Sequence, residues 1–112
     1  MIRQRLLVVL FWAATLFALV MALLPRPPQL PGAPGDKVQH IAAFVTLTAL
    51  ACAAYPRARA AAIAGGLVAL GGAIELLQLI PALGRDGALA DFGADAAAVL
   101  ITLALIRLMR RR

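Results

Sequence analysis

Four apolar runs of near-membrane length, held apart by short segments rich in proline, glycine and arginine, set the limits on what this chain can fold into. They cover about 6–24, 37–55, 60–80 and 89–108, and each is close to the ~20 residues with which a helix crosses a bilayer. At 63% hydrophobic and 14% charged residues, a chain of 112 residues cannot clothe a water-soluble domain in polar side chains. The expectation is an all-α integral membrane four-helix bundle forming a single domain over 1–112, with no soluble module appended.

The punctuation between the runs sets their ends. Arg3 and Arg5 precede the first run, and Pro25, Pro27 and Pro28 follow it. That run exceeds the ~7–15 apolar residues of a signal peptide and has no small-x-small cleavage site after it, so a retained helix is expected. Pro25 to Gly35 predicts an extended loop. Asp36 and Gln39 have the N-cap and N3 spacing of a capping box, which starts the second helix. Pro56-Arg57-Ala58-Arg59 predicts a tight basic turn, and Pro81 ends the third run before a short polar loop, 82–87. Ala61, Gly65, Ala69 and Ala73 recur every four residues, as do Ala90, Ala94 and Ala98. Such stripes predict close helix–helix approach in lipid, where packing must replace the hydrophobic effect.

The charges orient the bundle. With the N-terminus inside, Arg3, Arg5, Arg57, Arg59, Arg107, Arg110, Arg111 and Arg112 flank the inner ends, against Arg26, Lys37 and Arg85 outside. An eight-to-three bias places both termini in the cytoplasm, with the protein in the inner (cytoplasmic) membrane. The net charge of +6 does not point to nucleic acid, because the arginines border apolar runs and no polar face carries a basic stripe. The single Cys52 excludes a disulfide framework or cysteine-based zinc site within one chain, and reads as a small packing residue.

All five acidic residues and the only histidine fall at the other, outer end. A carboxylate in or near hydrocarbon is expensive, so such a cluster is expected to be a site. Asp36 and His40 are spaced i, i+4, Glu75 and Gln78 are i, i+3, and Asp91 and Asp95 are again i, i+4. Gly71 and Gly72 stand one turn below Glu75 and open space beside it. A short connection makes the third and fourth helices antiparallel neighbours, so Glu75 and Asp95 are expected at similar depth. The candidate catalytic residues are Glu75, His40 and Asp91; Lys37, Arg85, Gln78, Asp95 and Asp36 are candidate binding residues. Several have plainer roles open to them. Asp36 and Asp86 suit helix caps, Lys37 and Arg85 suit headgroup contacts, and Gln78 suits an interhelical hydrogen bond. A divalent ion is conceivable on His40 and the carboxylates, but without HExxH-type spacing no metal is assigned, and the cofactor stays open.

The order Asp36-Lys37-Val38-Gln39-His40 with Phe44, then Ile74-Glu75-Leu76-Leu77-Gln78, Arg85, and Asp91-Phe92-Gly93-Ala94-Asp95 resembles the VanZ-like family of small membrane proteins. The resemblance spans the second to the fourth helix. The family's last motif has Asn where Asp95 stands and Gly where Ala98 stands, so this chain carries an extra acid. The resemblance implies a cell-envelope protein linked, in the family's namesake, to lowered glycopeptide (teicoplanin) susceptibility. It supplies no reaction.

Three functions follow from these residues. One is an outward site that binds or acts on a cell-envelope component, such as a lipid-linked precursor, with Lys37 and Arg85 on an anionic headgroup and Glu75 or His40 exchanging a proton. A second is a small proton-coupled transporter. Four spans also resemble the small multidrug resistance transporters, but their essential Glu lies in the first span, which has no acid here. The third is a non-catalytic membrane scaffold, whose polar groups only lock the helices. Expected partners are membrane lipids and such a precursor, and a homodimer is compatible with so small a bundle.

Overall fold

The computed structural model describes residues 2–23, 35–78 and 89–110; for 35–37, 78 and 89–91 it describes the backbone alone. The described residues form four helices: α1 (Ile2–Leu23), α2 (Gly35–Ala54), α3 (Ala60–Gln78) and α4 (Leu89–Arg110). The all-helical expectation holds, with boundaries within a few residues of those expected. Two shifts are informative. α1 begins at Ile2, so Arg3 and Arg5 lie inside it rather than before it. α2 begins at Gly35, so the backbone of Asp36 lies in its first turn rather than at the N-cap.

Local chemistry explains the α2–α3 turn. Pro56 has no N–H to give and disfavours helical backbone in Tyr55. The Tyr55 N–H still donates to the Ala51 carbonyl at 2.9 Å, and the Ala58 N–H closes the turn on the Tyr55 carbonyl at 3.0 Å. The Arg59 carbonyl then accepts from the Ala62 and Ile63 N–H groups, opening α3.

α2 packs against α1 and α4, and α3 packs against α4; α1 is the peripheral helix. Each inner helix buries one stripe: Phe44, Leu47, Thr48 and Ala51 on α2, Leu67, Gly71, Ile74 and Glu75 on α3, Asp95, Ala98, Val99 and Leu103 on α4. These are the i, i+3, i+4, i+7 spacings of a single helical face. The α3 stripe expected to pack is not the one that does. Ala61, Gly65, Ala69 and Ala73 are all exposed, and a Cβ added at Gly65 would meet nothing within 4 Å. The bulkier face carrying Leu67 and Ile74 is turned inward because it completes the core with Val99 and Leu47. On α4 the stripe fares better, with Ala98 buried and Ala94 half-buried.

Inside and outside are inverted relative to a water-soluble protein. The buried polar residues are Thr48, Glu75 and Asp95, while Leu6, Val9, Leu16, Phe17, Leu76, Leu100, Ile101 and Leu105 are exposed. Three helices, Ile2–Leu23, Ala60–Leu77 and Phe92–Arg110, are long and apolar enough to cross a membrane. Among the described residues of α2, Val38–Ala54 is the apolar stretch.

The two ends of the bundle differ. At one end Gln4 donates to the Ala54 carbonyl, Arg110 Nη2 to the Cys52 carbonyl at 3.2 Å, and Arg107 Nη2 to the Ala58 carbonyl at 3.5 Å. The start of α1, the α2–α3 turn and the end of α4 therefore meet there, bringing six of the arginines together. Trp12 Nε1 donates to the Tyr55 hydroxyl at 2.8 Å, with Phe11 edge-on to both rings. The other end holds Glu75, Asp95 and the first turns of α2 and α4, which carry Asp36 and Asp91.

Candidate functional site

On the buried stripes of α2, α3 and α4, the position nearest the acidic end is polar in each case: His40, Glu75 and Asp95. Below them lie Phe44, Leu47, Ile74 and Val99, which form an apolar floor. Three helices thus deliver one imidazole and two carboxylates to a common point. One ligand atom from each lies within 4.8 Å of the others. His40 Nδ1 is 3.5 Å from Asp95 Oδ1 and 3.9 Å from Glu75 Oε1.

Burial is deepest at Asp95, which is 1% exposed, against 8% for Glu75. The His40 side chain is 13% exposed, the most accessible of the three. Among the described residues, neither carboxylate oxygen of Asp95 has a hydrogen-bond partner, His40 Nδ1 being at ion-pair distance from Oδ1. Thr48, equally buried, returns its hydroxyl to the Phe44 carbonyl at 2.6 Å. That contrast singles out Asp95, because a buried polar group left unmatched costs about 1–3 kcal/mol and a charged one more.

Gly71 creates the room. A Cβ there would stand 3.4 Å from Phe44 Cζ and 3.5 Å from both Cβ and Oδ2 of Asp95. The glycine lets α3 approach α2 and α4 closely beside the Asp95 carboxylate, where an added Cβ would come into van der Waals contact. Gly72 does the same opposite Phe92, whose ring is 3.4 Å from the position of its missing Cβ.

His40 also faces a second environment. A cavity of about 460 Å³ runs between α1, α2 and α3, with Gln39 and His40 at its polar end. Its walls are Phe17, Ala18 and Met21 of α1, Ala43 and Leu47 of α2, and Leu70 and Ile74 of α3. From Gln39 to Leu47 the wall extends about 12 Å along α2, at 1.5 Å per residue. Its volume falls within the 300–1,000 Å³ usual for small-molecule sites.

Of the eight residues singled out in the sequence, the structure brings His40, Glu75 and Asp95 together. Asp36 and Lys37 lie in the first turn of α2, Gln78 ends α3 and Asp91 is in the first turn of α4, all at the acidic end; their side chains are outside the described residues. Arg85 and Asp86 also lie outside the described residues. The α1 side of the cavity went unforeseen. α1 is apolar all round, so no periodicity told which of its faces meets α2.

The chain matches no protein-family model, no curated protein and no solved structure. The class defined by fold and site is therefore an all-helical four-helix bundle, with three helices fit to span a membrane and a buried His–Glu–Asp cluster at one end.

Proposed function

We propose that this is a four-span membrane protein of VanZ-like type, both termini cytoplasmic, whose outward-facing cluster binds or acts on an amphipathic cell-envelope component. One observation carries the reading: His40 belongs at once to the buried cluster and to the wall of an apolar cavity. A lipid-linked molecule has the same division, with an apolar chain for the cavity and a polar head for His40, Glu75 and Asp95. Lys37, in the first turn of α2, and Arg85, in the segment of sequence between α3 and α4, have the charge for an anionic headgroup. Glu75 or His40 is suited to exchange a proton with it.

The exposed apolar side chains and the interior acids support the membrane setting, since lipid favours that inversion. The clustering of six arginines at the opposite end supports cytoplasmic termini. A pure scaffold accounts poorly for Asp95, because a residue serving only to lock helices would have its oxygens hydrogen-bonded.

The test is an envelope lipid and glycan-precursor profile of a strain lacking the gene, with glycopeptide susceptibility measured in parallel. The reading expects at least one lipid-linked component to change and wild-type protein to restore it. An unchanged profile under conditions where the protein is abundant would remove the envelope reading.

A further inference from the structure

We propose that His40, Glu75 and Asp95 form a binding site for one divalent first-row transition-metal ion. The inference stands on the cluster's geometry alone and does not depend on the envelope reading. Hydrogen bonds between such groups would draw N and O to about 2.7–3.0 Å. Here Nδ1 stands 3.5 Å from one carboxylate and 3.9 Å from the other. Those separations are close to the edge of a tetrahedron, about 3.4 Å for metal–ligand bonds of about 2.1 Å. The widest pair lies within 4.8 Å, so closure onto an ion needs only small rotations of the side chains.

Asp95 gives an independent reason. It is 1% exposed, both its oxygens lack a hydrogen-bond partner among the described residues, and Oδ1 stands 3.5 Å from His40 Nδ1. A cation is the partner that a carboxylate in such a place calls for. Charge points the same way: two carboxylates and a neutral imidazole balance a divalent ion, leaving the apolar interior with no net charge. One nitrogen and two oxygens from carboxylates suit Zn²⁺, Mn²⁺, Fe²⁺ or Co²⁺ better than Ca²⁺ or Mg²⁺, which prefer oxygen alone. Three protein ligands leave at least one coordination position for water or a ligand atom. The spacing rules of sequence motifs miss such a site because its ligands come from three separate helices.

The experiment uses the full chain, purified in detergent without a metal-binding tag, stripped with chelator and titrated with Zn²⁺ and then with Co²⁺. The expected result is one Zn²⁺ per chain retained through gel filtration, and visible absorption bands of low-coordinate Co²⁺. Asp95→Asn and Glu75→Gln should weaken binding about tenfold or more while keeping the helical circular dichroism of the wild type. Cys52→Ser, at the opposite end, should bind as wild type does. Absence of stoichiometric uptake by the wild type overturns the proposal, as does binding that survives Asp95→Asn or vanishes in Cys52→Ser. Should Asp95→Asn fail to fold, the wild-type titration together with Glu75→Gln and His40→Gln decides the matter.

Discussion

Gly71→Ala separates the site from the scaffold, because the structure predicts opposite effects on stability and on function. The added methyl would lie 3.4 Å from Phe44 Cζ and 3.5 Å from Cβ and Oδ2 of Asp95, all ordinary contact distances. Replacing glycine by alanine within a helix contributes about 0.8–1.0 kcal/mol. Three new contacts near their optimum add about 0.1–0.2 kcal/mol each. The variant should therefore be more stable by about 1 kcal/mol, a factor of about five to ten in the folding equilibrium. Yet the methyl would stand 3.5 Å from Asp95 Oδ2 and restrict the room this carboxylate has to turn, so activity should fall. Reversible unfolding in mixed micelles measures the first effect, and complementation of a deletion strain at matched protein levels measures the second. A variant that loses stability by 1 kcal/mol or more, or that gains it with full complementation, would refute the reasoning.

Other substitutions probe the rest of the account. Thr48→Val removes a buried hydroxyl that serves only the Phe44 carbonyl of its own helix; stability should change by less than about 1 kcal/mol with function intact, as measured by the same two assays. Gln4→Ala removes the tie between α1 and the end of α2, and should cost about 0.6 kcal/mol, the usual worth of an interhelical hydrogen bond, without loss of complementation. For topology, reporter fusions at both termini should read as cytoplasmic, and a cysteine placed at Arg85 should react with membrane-impermeant reagents from outside. A reporter reading outside at either terminus would reverse the proposed orientation.

The fold was legible where the signal was length and punctuation. Pro56 and the arginine turn fixed the α2–α3 junction, and four runs became four helices. The meeting of His40, Glu75 and Asp95 was legible too, since an antiparallel α3–α4 pair puts Glu75 and Asp95 at one depth. Residue type alone misled on α3. Small residues at four-residue spacing occupy one face of the helix, but the face with Leu67, Ile74 and Glu75 is the one buried. Which apolar face turns inward depends on the volume to be filled by the whole bundle, and that is not a property of one helix. The same reason hid the cavity wall on α1, where Phe17 and Met21 are chemically no different from their exposed neighbours. The sequence groups Asp95 with the binding residues, whereas the structure makes it the most buried member of the cluster.

The central claim is that the three residues act as one site. Complementation by Glu75→Gln, by Asp95→Asn and by the double variant, at matched protein levels, tests it most directly. Residues acting as a unit are strongly non-additive, so each single variant should lose nearly all restoring activity and the double variant should lose no more. Independent losses that multiply, or full restoration by either single variant, would contradict it.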